Sequence, residues 1–492
     1  MGKGKAFLVG AGPGDIGLIT VKGLEAIKSA DVILYDRLAN PKLLDFASSD
    51  AELIYCGKLP HRHILRQEAI NDLLVSKALE GKIVVRLKGG DPGVFGRVGE
   101  EAEKLAAHDI PYEMVPGITS GIAAPLQAGI PVTHREFGES FAVVTAHDKS
   151  DEGKPLLNWV GLATGVDTIA FYMGVSNLPY ICENLMKYGR KPETPVILIQ
   201  WGTYGRQKTL EGTLSTIAKK VAEENFKNPA ITLVGDIVSL RSKLAWFERK
   251  PLYGRQILLP RTGTNESELA KALINEGADV IEFPKWKQRK VRPDKRIMSN
   301  LHSYEKILFS SPECVTEFFE MIYEEQIDIR MIDADFYGRS RKSVEELKKK
   351  FVFAKLADEM PISGKLLIVG DNKAYRNKVN YTVQYGTCDF LIVNELIVDE
   401  QFIPIFQRML EEASLDSLIF PSSESVRMFV EDVVEKGFIS ASLVKKLDLF
   451  CMGERTKKTA ELYGFVSKEQ PEVPTIESML DLLTINRDKV NF

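Results

Sequence analysis

The chain has 492 residues, of which 44% are hydrophobic and 27% charged, and this suits a globular protein of roughly two to four domains. A net charge of -4 argues against a general nucleic-acid binder or a protein drawn to anionic membranes, and no apolar run reaches the roughly 18 residues of a membrane span. The 5 scattered cysteines form no C-x-x-C pair, so they indicate reduced thiols in a cytoplasm and offer no metal framework.

Short apolar runs alternate with helical patterns through the first half of the chain. Strands are predicted at 6–10, 31–36, 83–87, 141–146, 168–173, 196–200 and 230–235. Apolar residues at helical spacing predict helices between them, among these 20–29, 65–79, 98–107 and 176–188. The alternation is typical of an α/β fold. It stops at 246–253, where charged residues and Pro251 indicate a linker between a domain at 1–245 and a second at 254–492.

The first strand leads into the glycine-rich turn VGAGPGD (9–15), which looks like the start of a dinucleotide-binding unit. Gly10 and Gly12 fit the first two positions of a G-x-G-x-x-G fingerprint, and Asp36 lies where a ribose-binding acid is expected. The third glycine position holds Asp15, however, and Pro13 stiffens the turn. This failed fingerprint disfavours an NAD-dependent oxidoreductase.

The second half contains an internal repeat. Residues 307–319 align without gaps on 418–430, and a later pair of segments, 337–351 and 452–465, follows in the same order. Two strand-like openings, LLPRTG at 258–263 and LLIVGD at 366–371, occupy comparable places. The repeat predicts a duplicated α/β module with two similar lobes, one made of 254–286 plus 397–492 and the other of 289–394. A crevice between two lobes is a natural ligand site.

Six motifs occur in a fixed order in the first half. They are VGAGPGD (9–15), YDRL (35–38), CGK (56–58), RLKGGDPGVFGR (86–97), VPGITSGIAAPLQAGIPVTHR (115–135) and YMG (172–174). Together they closely resemble the uroporphyrinogen III C-methyltransferases of the tetrapyrrole methylase family, over roughly residues 4–245. The resemblance implies a two-lobed α/β methylase that binds S-adenosylmethionine between its lobes. Its expected reaction methylates C2 and C7 of uroporphyrinogen III, giving precorrin-2 and S-adenosylhomocysteine.

The resemblance also assigns roles to residues. A proton must leave the macrocycle after methyl transfer, and Asp36 matches the family's proposed proton acceptor while Lys58 matches its proposed donor. Alternatively, Asp36 caps a helix and Lys58 is a solvated surface residue. The implied cofactor site consists of Pro13, Gly89, Gly90, Asp91, Val94, Thr119, Ser120, Met173 and Gly202. The substrate carries eight carboxylates, and the candidate cations for binding them are Arg37, Arg86 and Arg97.

The second half resembles uroporphyrinogen III synthase. The matching segments are LLPR (258–261), FSSPECVTEFF (309–319), FPSSESVRMFV (420–430) and CMGERTKKTAELYGF (451–465). The resemblance implies cyclisation of hydroxymethylbilane to uroporphyrinogen III, in which the protein mostly holds the chain in position for closure.

Three residues of this half are candidates for contact with the bilane. Thr456 resembles a family threonine near the leaving hydroxyl. Ser311 and Ser422 precede helices whose free N–H groups suit carboxylates, although both serines fit equally well as simple helix caps. A tyrosine common in the family's crossover strand is absent, and Asn394 and Glu395 lie nearest to its place.

The sequence therefore predicts a two-lobed methylase followed by a two-lobed, internally duplicated synthase module, acting as a bifunctional cytoplasmic enzyme for sirohaem or cobalamin synthesis. The expected partners are the small-molecule substrates, with no nucleic acid, membrane or metal, and family members commonly dimerise through the methylase. Two alternatives stay open: only the methylase is active, with the second half a binding or assembly module, or the methylase acts on a different precorrin.

Overall fold

The computed structural model describes residues 3–57, 67–146 and 154–487. The strands of the first half are β1 (Lys5–Gly10), β2 (Val32–Tyr35), β3 (Glu52–Tyr55), β4 (Ile83–Lys88), β5 (Tyr112–Val115), β6 (Phe141–Thr145), β7 (Thr168–Tyr172), β8 (Pro195–Gln200), β9 (Lys208–Thr213) and β10 (Ala230–Val234). Its helices are α1 (Val21–Ser29), α2 (Gln67–Leu79), α3 (Val98–Ala107), α4 (Ser120–Gln127), α5 (Trp159–Gly165), α6 (Leu178–Lys187), α7 (Ile217–Glu223) and α8 (Arg241–Leu244).

The first sheet has the order β3-β2-β4-β1-β5, and all its neighbouring strands are parallel. Its inner strand β2, VILY, is a continuous apolar run buried on both faces, and the neighbouring β4 is buried except at its first residue. Because the strands are parallel, their carboxyl ends meet at one edge. That edge brings together the turn after β1, Asp36 after β2, Gly89 after β4 and Gly117 beyond β5.

The second sheet has the order β6-β7-β10-β8-β9, with β6 and β7 parallel and the other neighbours antiparallel. The helix α4 follows the first sheet in the chain but packs on the second, since its buried Ala124 joins a core with Ile197, Ile231 and Leu233. The two sheets therefore form two lobes, with α4 leading from one to the other.

Glycine backbones cross at the carboxyl edge of the first sheet. Gly12 and Gly90 pair as an isolated bridge, in which Gly90 N–H donates to Gly12 O at 2.7 Å. A Cβ built on Gly10 would lie 2.6 Å from Gly117 N and 2.7 Å from Gly90 O, closer than real Cβ atoms come. Only glycine lets the three turns pack at this distance. The glycines of the opening turn thus serve backbone packing.

The strands of the second half are β11 (Gln256–Pro260), β12 (Asp279–Phe283), β13 (Trp286–Lys290), β14 (Lys306–Phe309), β15 (Asp335–Gly338), β16 (Lys355–Leu356), β17 (Leu366–Asp371), β18 (Cys388–Val398), β19 (Ser417–Phe420) and β20 (Asp448–Cys451). Its helices are α9 (Glu268–Asn275), α10 (Lys295–Ser299), α11 (Pro312–Glu324), α12 (Arg341–Lys349), α13 (Asn372–Arg376), α14 (Lys378–Tyr385), α15 (Ile403–Glu412), α16 (Ser423–Phe429), α17 (Ala441–Val444), α18 (Glu454–Leu462) and α19 (Ile476–Arg487).

These strands form two sheets, which have the orders β12-β11-β19-β20 and β13-β18-β17-β14-β15-β16. The four strands β18-β17-β14-β15 repeat the spatial order of the smaller sheet, and all neighbours in both sets are parallel. The sequence repeat is therefore present in the topology. Its copies are interleaved, because the chain crosses to the larger sheet after β12 and returns after β18, where β13 and β18 run antiparallel.

Within the described residues, no helix combines the length and apolarity needed to cross a bilayer.

We expect Gly10→Ala to lower the stability of the chain by about 1–3 kcal/mol, because the added methyl group overpacks the crossing of the three turns. Gly99→Ala in α3 is the matched control and should not destabilise the chain, since a Cβ there meets nothing within 4 Å and alanine is the better helix former. The check is the midpoint of the first urea-unfolding transition. Equal midpoints for the Gly10→Ala chain and the wild type would contradict the packing described.

Candidate functional site

A cavity of about 650 Å³ lies between the two lobes of the first half, where the first sheet ends. All nine residues predicted to bind the cofactor line it: Pro13, Gly89, Gly90, Asp91, Val94, Thr119, Ser120, Met173 and Gly202. Asp36 and the three candidate arginines Arg37, Arg86 and Arg97 line it as well. Lys58 lies outside the described residues. The carboxyl edge of the sheet thus gathers motifs that are far apart in sequence.

Gly90 forms part of the cavity wall with its backbone alone. It adopts φ +70°, and a Cβ built on it would come no closer than 3.9 Å to Ser120 N, so its open face points into free space. The first turn of α4 stands opposite and is tied to the second lobe through Tyr172. The Tyr172 hydroxyl bonds Thr119 Oγ1 at 2.5 Å and accepts the N–H of Gly121. A ligand can therefore approach peptide groups here directly.

The Asp91 carboxylate holds two backbone loops together beside Gly90. Its Oδ1 accepts the N–H of Gly93 at 2.7 Å, and its Oδ2 accepts the N–H of Gly117 at 2.9 Å. Asp91 is one of the residues predicted to bind the cofactor. The structure adds a supporting role, since this carboxylate also shapes the turn on which Gly90 is presented.

Strained backbone is concentrated around this cavity. Phe95, Arg97, Met173 and Trp201 all line the cavity and all have a left-handed backbone, with φ between 48° and 58°. A non-glycine residue in that region costs on the order of 1–3 kcal/mol and persists only where the surroundings impose it. Four such residues around one cavity indicate that the fold maintains its shape at the expense of local stability, as functional sites do.

A buried charge network lies beneath the cavity. Arg86, which is 2% exposed, donates from Nη2 to Asp36 Oδ1 at 2.6 Å and from Nε to Glu101 Oε1 at 3.0 Å. Lys88 Nζ donates to the same Glu101 oxygen at 2.7 Å. Burial lowers the pKa of Lys88, the Arg86 cation lowers it further, and Glu101 opposes both. Two cations thus face two carboxylates, and Asp36 is the member whose side chain is 30% exposed.

The ionisable groups that line the cavity limit the chemistry that the site can perform. Burial raises the pKa of the Cys56 thiol, which lines the cavity, to about 11, so this thiol stays protonated and is a poor nucleophile. In the described ranges no three His, Cys, Asp or Glu residues are grouped as a metal site. Among the residues described, two carboxylates line the cavity: Asp36, which is held by Arg86, and Asp91, which is held by two backbone N–H groups.

A second site lies between the lobes of the second half. Two adjoining cavities of about 290 and 370 Å³ share Thr262, Ser311 and Asp371 as lining residues. Each of these residues follows or ends a parallel strand, so the carboxyl edges of both sheets face the same cleft. Topologically this is the place where open α/β sheets bind ligands.

The predicted residues of this half occupy different places. Ser311 lines both cavities and caps α11 by accepting the N–H of Cys314 at 3.3 Å. Ser422 caps α16 by accepting the N–H of Ser425 at 3.1 Å, and Thr456 is buried in the first turn of α18. Within the described part of the chain, Ser422 and Thr456 line neither cavity. Ser422 follows β19 and Thr456 follows β20, so both lie towards the carboxyl edge of the smaller sheet.

Asn394 lines the larger cavity from the crossover strand β18. It is 3% exposed, and its Oδ1 atom has no hydrogen-bond partner among the described residues. An unpartnered buried acceptor is costly, and this one belongs to a residue that lines the cavity.

A buried ion pair joins the two lobes across this cleft. The Nζ atom of Lys373 in α13 lies 3.3 Å from Oδ2 of Asp432, which belongs to the short π-helix Val430–Val434. The same Nζ lies 3.0 Å from the centre of the Trp286 ring. Burial lowers the pKa of Lys373 to about 8, although Asp432 pulls it upward. The pair therefore bridges the two lobes at the wall of the smaller cavity, which Lys373 lines.

Some residues at or beneath the cavity had not been assigned a role there. Lys88 lies in the recognised motif 86–97 and Glu101 in an ordinary helix, and only the fold brings them together beneath Asp36. Trp201 and Tyr204 lie in the loop after β8, where only Gly202 was predicted to contact the cofactor. Tyr172 belongs to a recognised motif, and its bond to Thr119 explains why the motif includes an aromatic hydroxyl.

Two α/β units that each enclose a cavity between paired lobes define a two-domain enzyme. The family model described as Tetrapyrrole (Corrin/Porphyrin) Methylases matches residues 5–218, and that described as Uroporphyrinogen-III synthase HemD matches residues 267–481. The uroporphyrinogen-III C-methyltransferase of Bacillus subtilis (strain 168) is 48% identical over 475 residues, which cover 96% of this chain and 96% of that relative. The chain therefore belongs to the tetrapyrrole methylase family, with a uroporphyrinogen-III synthase domain joined to it.

Other relatives match the first half alone. The uroporphyrinogen-III C-methyltransferase of Priestia megaterium is 61% identical over 236 residues, which cover 48% of this chain and 99% of that relative. A crystal structure of uroporphyrin-III C-methyl transferase from Thermus thermophilus, complexed with S-adenyl homocysteine, is 36% identical with a TM-score of 0.42, and the match covers 48% of this chain and 100% of that one.

The ion pair across the second cleft makes a prediction about pH. The pKa of Lys373 is about 8 in the folded chain and near its ordinary 10.5 when unfolded, so the unfolded state binds more protons between these values. We expect the free energy of unfolding of the wild type, minus that of Lys373→Met, to be independent of pH below about pH 8. Between about pH 8 and 10.5 this difference should rise by up to about 1.4 kcal/mol per pH unit.

The measurement is urea unfolding of both proteins across that pH range, followed by tryptophan fluorescence. Lys446→Met removes an exposed lysine of the same half and serves as the control, for which the difference should not change with pH. A flat difference for Lys373→Met would contradict the description of this lysine.

Proposed function

We propose that the first half transfers methyl groups from S-adenosylmethionine to C2 and C7 of uroporphyrinogen III, and that the second half closes hydroxymethylbilane to uroporphyrinogen III. The observation that carries the proposal is the gathering of all nine expected cofactor residues, with Asp36, around one cavity. Family membership of both halves supports it. The second half would then supply the substrate of the first.

The residues at the cavity suit the cofactor. Gly90 leaves free space where a side chain would stand, and Thr119, Ser120 and Met173 surround it with hydroxyls and a soft thioether. We propose that these residues, with Pro13, Gly89, Asp91, Val94 and Gly202, hold S-adenosylmethionine. When bound, it supplies an electrophilic methyl group.

Asp36 is proposed to accept the proton that the macrocycle loses after methyl transfer. Its carboxylate is held at Oδ1 by Arg86, so it keeps one orientation while its exposed part faces the cavity. We assign Arg86 to this orienting role, because its guanidinium is buried against Asp36, Glu101 and the carbonyl of Leu34. Lys58 is proposed as the proton donor.

The carboxylates of the substrate need cations at the cavity rim. Arg37 and Arg97 line the cavity with exposed side chains, and Arg97 is paired with Glu100 at 2.6 Å. Such a surface pair is worth little and is readily exchanged for a substrate carboxylate. We propose both arginines as substrate contacts.

In the second half, closure of the bilane is proposed to depend on positioning across the cleft. Ser311, Ser422 and Thr456 lie where the sheets end, and the helix starts they belong to offer N–H groups for carboxylates. The unpartnered Oδ1 of Asn394 is an acceptor suited to a pyrrole N–H. This residue would take over part of the role of the tyrosine absent from the crossover strand.

A homodimer through the first half is proposed as well, for an enzyme working in the cytoplasm. Exposed apolar side chains continue along α4 and beside it, at Ile118, Ile122, Leu126 and Trp246. Trp246 donates its indole N–H to the Leu126 carbonyl, so these residues form one surface. A contiguous apolar face of this kind is typical of a protein contact.

The test of the whole proposal is a reaction of the full chain with hydroxymethylbilane and S-adenosylmethionine, analysed by chromatography and mass spectrometry. We expect uroporphyrinogen of isomer III carrying two added methyl groups. Isomer I products alone would leave the second half as a binding or assembly module. Absence of methyl transfer to any uroporphyrinogen would overturn the assignment of the first half.

We expect Asp36→Asn to lower kcat for methylation of supplied uroporphyrinogen III by about 100-fold or more, because the amide accepts no proton. Binding of S-adenosylhomocysteine, measured by calorimetry, should be retained. Asp109→Asn is the control, since its side chain is 92% exposed and far from the cavity motifs. Unchanged turnover in Asp36→Asn would refute the role given to this carboxylate.

A further inference from the structure

The helix α15 of the second half forms part of the wall behind the first active site. Ile405 and the preceding Phe402 are buried in one hydrophobic cluster with Tyr35, Leu43 and Leu44 of the first half. On its other side, Phe406 stacks on Phe283 with ring centres 3.7 Å apart. The helix is therefore anchored in its own domain and packed against β2, the strand that directly precedes Asp36.

Two charged side chains of α15, those of Arg408 and Glu412, also contact the first half. The guanidinium of Arg408 lies 5.7 Å from the ring centre of Tyr35 and 4.6 Å from that of Tyr55. One turn further along, at the end of the helix, Glu412 pairs with Arg37 at 2.6 Å, from its Oε1 to the arginine Nε. Tyr35 and Arg37 flank Asp36, so the second half contacts both neighbours of the proposed base.

Glu412 also reaches the other lobe of the first half. Its Oε2 lies 3.9 Å from Nη2 of Arg206, whose guanidinium sits 4.1 Å from the ring centre of Trp201 and 5.1 Å from that of Tyr204. Both aromatic residues line the cavity. One carboxylate from the second half thus holds an arginine from each lobe that encloses the site. The Glu412 side chain is 14% exposed, so solvent screens these pairs less than ordinary surface pairs.

The ion pair with Glu412 leaves one edge of the Arg37 guanidinium, formed by its two Nη atoms, available to a ligand. Glu412 occupies Nε, and among the described residues no hydrogen bond reaches the two Nη atoms. A guanidinium held at Nε keeps its plane fixed, and the two Nη groups can then donate hydrogen bonds to the two oxygens of one carboxylate. Arg37 is 48% exposed and lines the cavity, so this edge is open to a bound molecule.

We propose that Glu412 is a positioning residue for the first active site: it fixes the Arg37 guanidinium so that the Nη pair receives a carboxylate of the macrocycle. The inference rests on the proposed methyl transfer to uroporphyrinogen III. The Priestia megaterium relative ends after the methylase half, because 99% of it aligns within 48% of this chain. The contact made by α15 is therefore an addition of the fused second half to a unit that exists without it.

The test uses the full chain with supplied uroporphyrinogen III, so that the activity of the second half does not enter. We expect Glu412→Gln to raise KM for uroporphyrinogen III about tenfold, since one charge-assisted contact is lost, with kcat and the Kd for S-adenosylhomocysteine unchanged. Glu411→Gln makes the same charge change at the adjacent exposed residue and should leave all three values as in the wild type.

A double-mutant cycle shows whether Glu412 acts through Arg37. Arg37→Gln should raise KM by itself, and adding Glu412→Gln should raise it no further. If Glu412→Gln fails to fold, Glu412→Asp, which keeps the charge but shortens the reach, carries the same comparison. A wild-type KM in the Glu412 variant, or a full further increase in the Arg37→Gln background, would overturn the inference and leave methylation intact. A wild-type chain without methyl transfer would overturn the proposed function, and this inference with it.

Discussion

The close approach of three glycine backbones at the end of the first sheet is the constraint on which the first active site depends. Gly10, Gly90 and Gly117 come from three separate turns, and a methyl group on Gly10 would clash with the backbone of the other two. The bridge between Gly12 and Gly90 fixes the turns in register, and Asp91 ties in the third. With the turns held in this way, the open face of Gly90 and the strained residues around it form part of the cavity wall.

A second constraint is electrostatic. Two cations and two carboxylates meet beneath the cavity with little solvent, and each would be costly to bury alone. Because Arg86 divides its donors between Asp36 and Glu101, the carboxylate that faces the cavity is held in one orientation. The contacts from α15 add support from outside, since Arg408 and Glu412 reach both neighbours of Asp36. The second half is therefore part of the surroundings of the first site.

Much of the fold of the first half, and many residues of its cavity, could be predicted from the sequence. The seven predicted strands of the first half match β1, β2, β4, β6, β7, β8 and β10, because each contains a run of apolar residues. Six of them are mostly buried, whereas β6 is a half-exposed edge strand whose segment FAVVT is still apolar. The strands β3, β5 and β9, also at sheet edges, were not predicted, because charged residues shorten their apolar runs. The cofactor residues were predicted from the resemblance of six ordered motifs to a known family, and all nine line one cavity. Glu101 and Glu412 were not predicted, since nothing local distinguishes a buried or clamped glutamate from a solvated one.

The central claim is that the cavity at Gly89–Asp91 holds a sulfonium methyl donor. The most direct measurement is a crystal structure of the full chain grown with S-adenosylhomocysteine. The account predicts that the product lies against the Gly90 backbone, between Thr119 and Met173, with Asp36 facing the remaining space. Binding of the product at another place, with this cavity empty, would contradict it.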